Sequence, residues 1–323
     1  MNKTSLLFGF LSMCFLPSVA TTPIEDIHIR DPYILADAVS GNYYMYSSST
    51  VTDADGQSFG GVAVYKSNDL KNWDGPKQVC TVPVDNWITG RIWAPEVHFY
   101  NGKYYLFATI NTDIEWKGPK DGWGAKYTYR GTQIFRADSP EGPFEALSRM
   151  PATPIDEMAL DGTLWVEDSV PYMVYCHEWV EVADGTMNVI RLSDDLSESV
   201  GRSIRLFNAS AAKWSTGSKA GTYVTDGCFL YRTKTGKLLM IWSSFMNGEY
   251  AIGVAESVTG KVIGPWRQND EPLFNRNGGH GMLFKDFEGE LHLVIHVPNS
   301  PSGMERARIF DIEDIGDSIR LKK

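Results

Sequence analysis

The sequence predicts an all-β chain folded as a single five-bladed β-propeller, and three observations carry that prediction. Strand-type runs rich in Tyr, Val, Ile and Phe recur along almost the whole chain, and no stretch shows the apolar period of an amphipathic helix. Five of these runs follow a tight-turn sequence. Five others open on polar residues, and their starts are separated by about 50 to 70 residues. A meander of about four strands repeated five times reads as propeller blades. A β-sandwich would house the strands but gives no reason for five similar polar openings.

The elements follow in order. First strands begin at "RDPYIL" (30–35), "WAPEVHFY" (93–100), "LDGTLWV" (160–166), "TDGCFLY" (225–231) and "GHGMLF" (279–284). Turns with Gly, Asn, Asp or Pro ("SGN", "NGK", "EDSVP", "TGK", "EGE") lead into second strands. These are "YYMYSSS" (43–49), "YYLFATI" (104–110), "PYMVYC" (171–176), "LLMIWSS" (238–244) and "LHLVIH" (291–296). Third strands such as "GVAVYKS", "TQIFRAD", "NVIRLSD" and "AIGVAES" complete several units, and polar tails such as "NDLKNWDGP" follow them.

Residues 1–20 read as an export signal, which leaves the propeller domain over residues 21–323 and places the mature protein outside the cytoplasm. Lys3 supplies the positive region, Leu6 to Leu16 the apolar core, and Ser18 to Ala20 a small-residue cleavage site. The apolar run is too short to span a bilayer, so no membrane insertion is expected. Cys14 raises a lipid-anchored alternative, but the bulky Met13 before it suits that processing poorly. Beyond the signal, Cys80, Cys176 and Cys228 remain. An odd number gives no disulfide framework, and Cys176 and Cys228 sit in apolar strands as small buried residues. A net charge of −10 argues against nucleic acid as a partner, because phosphate binding draws on clustered Lys and Arg. Nothing in the sequence specifies an oligomeric state.

The propeller places chemistry. The start of a first strand and the end of an antiparallel second strand reach the same rim. Arg30, Asp31, Trp93, Asp161, Asp226 and His280 therefore gather at one mouth, joined by Glu178 at the end of "VPYMVYCHEW". A funnel of carboxylates with aromatic walls suits the hydrolysis of sugars. Adjacency does not make Arg30 and Asp31 partners, since strand neighbours normally face opposite ways.

"RDPYIL", "WAPEVHFYNGKYYLFAT", "LDGTLWVEDSVPYMVY" and "GHGMLFKDFEGELHLVIH" resemble glycoside hydrolase family 43, in the family's order and over nearly the whole mature chain. The resemblance implies a five-bladed propeller that hydrolyses glycosides of plant polysaccharides or oligosaccharides with inversion of the anomeric centre. It implies Asp31 as the base that takes a proton from the attacking water. It implies Asp161 as an anion that raises the pKa of the acid. The blade-four motif departs from the family's Glu-Gly-Pro: Asp226 stands there, one methylene short. Either Asp226 is the acid, or Glu178 reaches across from the neighbouring blade and replaces it; Glu178 is preferred for its length, with Trp179 helping to desolvate it. Asp226 then binds a sugar hydroxyl or acts as a second tuning anion. Glu96 is a weaker candidate, expected deeper and paired with a basic group.

Arg30, Trp93, Trp179 and His280 are the expected substrate contacts, Trp93 as a stacking wall whose alternative is packing between blades. The resemblance places His280 in the central channel, where it holds a water network or a structural calcium ion with a mostly aqueous shell; no cofactor is required. The long insertion 111–131, rich in Gly, Trp and Tyr, is expected to overhang the mouth. A capped pocket favours release of terminal sugars, hence an exo-acting α-L-arabinofuranosidase. The rival activities are a β-xylosidase or endo-1,4-β-xylanase on the same fold, and a carbohydrate-binding propeller that has lost catalysis.

Overall fold

The computed structural model describes residues 20–81, 91–117, 126–218 and 221–322. The leader expected over residues 1–20 and the tip of the 111–131 insertion fall largely outside them. Five antiparallel sheets follow one another along the chain as the blades of a propeller, each built from consecutive strands. The first strands are Tyr33–Asp37, Ile92–Tyr100, Ala159–Glu167, Asp226–Arg232 and Gly279–Lys285. The second strands are Asn42–Thr52, Lys103–Lys117, Val170–His177, Leu238–Met246 and Leu291–Val297. Each agrees with its sequence-predicted run to within a few residues, except that the insertion largely prolongs the second-blade hairpin into Lys103–Lys117 and Tyr127–Ala137. Among the described residues the one α-helix is the single turn Trp179–Val182.

The apolar runs are continuous because blades are covered on both faces. In Leu238–Met246, the side chains of Leu238, Met240 and Trp242 pack toward blade three. The alternate residues Leu239 and Ile241 pack toward blade five. Side chains of a strand alternate between faces, so a strand between two neighbours buries every position. Each such side chain contributes about 1.5–3 kcal/mol on full burial. Cys80, Cys176 and Cys228 are all buried and unpaired, Cys176 and Cys228 as expected of small apolar fillers. The ring closes where the N-terminal segment meets blade five: His28 bridges Arg306, and the Ile29 amide donates to the Glu305 carbonyl at 3.3 Å. Thr22–Pro23 covers the outer edge of blade one by pairing with Trp73 and Asn72.

Every first strand opens on one residue in the left-handed region: Asp31, Ala94, Asp161, Gly227 and His280, with φ of 53°, 43°, 55°, 48° and 46°. In blades two to five the strand register slips at that point. A non-glycine residue there costs about 1–2 kcal/mol, so neighbours must hold it. Polar side chains from the preceding blade's second strand do so in three cases. The amide of Asp161 donates to Thr109 Oγ1 at 2.8 Å, that of His280 to Ser243 Oγ at 2.9 Å, and that of Asp31 to His296 Nδ1 at 3.2 Å.

Candidate active site

The left-handed openings break the strand alternation and re-aim the side chains. Strand pairing in blade one starts only at Tyr33, after Pro32, which has no amide hydrogen to give to a ladder. Arg30 and Asp31 therefore escape the rule that neighbours face opposite ways. Both line one cavity of about 590 Å³, and Arg30 Nε lies 3.8 Å from Asp31 Oδ1. The same cavity is lined by Trp93, Asp161, Glu178, Asp226 and His280, so seven of the eight sequence-nominated residues converge.

Trp179 is the exception and does not line the cavity. The chain leaves the strand at His177 and turns into helix at Trp179, so strand geometry no longer keeps that side chain on the rim. Glu178 is held at the turn by its own amide, which donates to the Met158 carbonyl at 2.8 Å. Glu181, buried behind it, accepts from the Met158 amide at 2.7 Å and lies 2.8 Å from His177 Nε2. His177 is thereby a structural residue of this corner. Glu96 is buried and pairs with His98, Oε2 to Nε2 at 3.0 Å, outside the cavity lining as expected.

Asp31 meets two imidazoles. Its Oδ1 is 3.3 Å from His280 Nδ1 and 3.2 Å from His296 Nδ1. The Asp31 amide lies 3.2 Å from the same His296 Nδ1, and His296 Nε2 lies 3.1 Å from Asn299 Oδ1. Arg30 Nη2 donates to the same Asn299 oxygen at 2.8 Å, and Arg30 Nη1 to the buried Glu305 at 3.1 Å. Burial alone would raise the Asp31 pKa. The charge of His280, then the His296 contact, then Arg30 outweigh it and hold the group well below the usual carboxylate range.

The other three carboxyls go the opposite way. Burial, then the nearby Asp31 charge, pushes Asp161 up to about 8, although Oδ2 accepts the Gly227 amide hydrogen at 3.0 Å. Burial and the Asp161 neighbour push Asp226 up to about 7, against the 2.9 Å hydrogen bond that Tyr250 donates to its Oδ2. Burial raises Glu178 to about 7 in spite of Arg130, whose Nη1 lies 3.0 Å from Oε1 and 2.9 Å from Oε2. Like charges so close cannot all ionise, so the cluster titrates as a unit, with Asp31 carrying the charge and the rest holding protons near neutrality. Asp161 thus holds its proton more tightly than a free carboxyl, and when ionised it raises Asp226 and Glu178.

Trp93 is 37% exposed, enough to present a face to the cavity, while Arg130 lies 5.0 Å from its ring centroid. His280 contacts Asp31 and Asp161 through Nδ1, at 3.3 and 3.7 Å. Among the described residues no three His, Cys, Asp or Glu side chains are arranged to hold a metal ion. One imidazole is a poor donor for calcium, which takes six to eight oxygens. A calcium ion at His280 would therefore draw most of its oxygen shell from water, and no step below passes through a metal.

Sequence reasoning missed Arg130, Tyr250, His296 and Glu305. His296 ends a second strand and was reachable by the rule that found Glu178. Tyr250 and Glu305 belong to third strands or the loops before them, and Arg130 to the hairpin insertion; nothing local marks them.

A match to the family model described as "Glycosyl hydrolases family 43" spans residues 20–313. Among solved structures, an endo-arabinase from Bacteroides thetaiotaomicron VPI-5482 is 38% identical with a TM-score of 0.79, covering 91% of this chain and 97% of that one. An endo-1,4-β-xylanase from the same organism is 24% identical with a TM-score of 0.72, over 95% and 97% of the two chains, and shares the fold. The extracellular endo-α-(1→5)-L-arabinanase 1 of Bacillus subtilis (strain 168) is 36% identical over 58 residues, which is 16% of this chain and 18% of that enzyme. With the propeller, the clustered carboxyls and a family match over nearly its whole length, the chain belongs to glycosyl hydrolases family 43.

Proposed function

We propose that this chain hydrolyses α-L-arabinofuranosyl linkages of arabinan with inversion, Asp31 acting as base and Glu178 as acid. The observation that carries the assignment is that one cavity sets Asp31, faced by His280, His296 and Arg30, against a buried Glu178 paired with Arg130. Carboxyls whose environments push their pKa values apart mark the base and the acid of such a reaction. Asp31 takes a proton from water as that water attacks the anomeric carbon, and Glu178 gives one to the departing oxygen. Asp161 sits between them electrostatically, and its own protonation state biases both neighbours. Asp226, with Tyr250 on its Oδ2, is read as a hydroxyl-binding group, since a shorter carboxyl already engaged by a phenol is the poorer donor.

Arabinan is favoured over xylan because the relative at 38% identity is named an endo-arabinase. For the same reason internal cleavage is preferred to the exo-acting arabinofuranosidase suggested by sequence; a cap over the pocket would fall within residues outside the described ones. The extracellular name of the Bacillus subtilis relative supports export.

Debranched arabinan, branched arabinan, xylan and xylo-oligosaccharides are incubated with the enzyme, with products sized chromatographically and their anomers followed by NMR. Arabino-oligosaccharides of several lengths, formed early and with inverted anomers, are expected. Arabinose as the sole early product supports the exo reading, and products from xylan alone overturn the substrate assignment. Glu178→Gln is expected to lower arabinan turnover by about 10²–10⁴, and Asp226→Asn less. The reverse order moves the acid to Asp226.

A further inference from the structure

Arg130 enters the site from the long hairpin of blade two, on the strand Tyr127–Ala137, and reaches Glu178 at the end of a blade-three strand. Its side chain is held on three sides. Nη2 donates to Thr128 Oγ1 at 3.1 Å, the guanidinium lies 5.0 Å from the centroid of the Trp93 ring, and Nη1 faces both oxygens of Glu178. The two oxygens are not equivalent. Oε1 accepts a hydrogen bond from Nη1 at 3.0 Å. Oε2 is 2.9 Å from the same nitrogen but receives no aligned hydrogen, and it is buried without a hydrogen-bond partner.

A buried carboxylate oxygen lacking a donor is destabilising while it is charged. A proton on the Glu178 carboxyl removes that unmet charge. We propose that Arg130 is the positioning residue of the proton donor: it fixes the Glu178 carboxyl at the cavity wall and faces the charge left when the proton goes to the leaving oxygen. This rests on the reading of Glu178 as the acid.

In the step so assigned, the O–H bond of the Glu178 carboxyl breaks as the glycosidic oxygen takes the proton and the bond from that oxygen to the anomeric carbon breaks. The carboxylate left behind already faces Arg130, which stabilises the charge as it forms. Four other titratable groups act on Glu178: Asp226 from blade four, Asp161 from blade three, Glu181 in the helical turn, and His177 through Glu181. Arg130 is the one of these contacts that favours the charged form, so its removal has a sign of its own.

The test compares Arg130→Gln, Arg130→Lys and Glu178→Gln in the full-length enzyme, measuring kcat/KM against pH on arabinan and on an aryl arabinofuranoside with a good leaving group. Loss of an opposite charge in contact raises a carboxyl pKa by roughly 1–3 units, so Arg130→Gln should move the alkaline limb up by about that amount. It should also cut arabinan turnover about 10–100-fold below the limb, because the acid loses its orientation. Arg130→Lys keeps the charge but not the planar fork; it should leave the limb in place and still lower arabinan turnover more than aryl-glycoside turnover. A limb unmoved in Arg130→Gln, with both substrates slowed equally, makes Arg130 a structural ion-pair partner and overturns the proposal. Should Arg130→Gln melt out before assay, the arabinan-to-aryl ratio of Arg130→Lys decides alone: equal slowing overturns the proposal. The underlying reading fails separately, if Glu178→Gln slows both substrates equally or neither.

Discussion

Oδ1 of Asp31 lies 3.3 Å from Nδ1 of His280, a contact that joins the opening of blade one to the opening of blade five. Both residues sit in left-handed backbone, and both are aimed into the cavity by it. The contact helps to keep Asp31 ionised, which a base requires. Asp31→Asn preserves volume while removing that charge. Turnover of arabinan should fall by at least about 10², with an unchanged circular dichroism spectrum. Hydrolysis that persists at wild-type rate would remove Asp31 from the base role, and hydrolysis absent from the wild-type enzyme would favour a binding propeller.

The pH profile follows from the same split. Asp31 stays ionised far into acid, so kcat/KM should show no fall between about pH 5 and 6 from loss of the base. The alkaline limb should lie near pH 7, where the cluster of Glu178, Asp226 and Asp161 (about 7, 7 and 8) starts to lose protons. The limb reports the cluster and not one residue. Initial rates at subsaturating arabinan over pH 4–9 measure it; a limb near pH 5 would mean that none of the three is held protonated.

Stability should depend on pH with a sign that surface carboxylates do not give. Asp161 has a folded pKa above its unfolded value, so its contribution is complete below about pH 4 and is lost as pH rises through about 8. Asp31, with a depressed folded pKa, acts oppositely and contributes above about pH 4. Asp161→Asn keeps an acceptor for the Gly227 amide but cannot ionise. Its melting temperature should exceed that of the wild type at pH 8 and converge with it toward pH 5, as read by differential scanning calorimetry. Such a gain in stability with loss of activity is the usual cost of a working site.

Gly227 is required twice over. Its φ is +48°, and a Cβ there would stand 2.7 Å from both Cγ and Cδ2 of His280. Gly227→Ala should therefore cost about 1–3 kcal/mol by urea unfolding. It should also slow turnover, because the imidazole that moves aside is the one facing Asp31 and Asp161. An alanine enzyme with full activity would show that His280 has more freedom than these contacts allow.

The predicted second strands were legible because a strand covered on both faces has no polar side to spare; the run in Leu238–Met246 is the example. The rim was legible for a related reason. In a propeller every first strand begins at one mouth, so Asp31, Asp161, Asp226 and His280 met without any knowledge of side-chain direction. Trp179 shows where that reasoning stops: the strand ends at His177, and the side chain two residues on leaves the rim with the turn.

By itself, then, the sequence determined the number of blades, the family resemblance and the carboxyls present at the mouth, since these follow from periodicity and strand order. Only the tertiary structure decided how those carboxyls differ. Their protonation depends on burial and on groups brought from elsewhere in the fold: Arg130 of blade two against Glu178, the Tyr250 hydroxyl of a later strand in the same blade against Asp226, His280 of blade five against Asp31. Such contacts join residues 24 to 249 positions apart in sequence, and Coulomb and desolvation energies vary with distances of a few ångströms that no local pattern encodes.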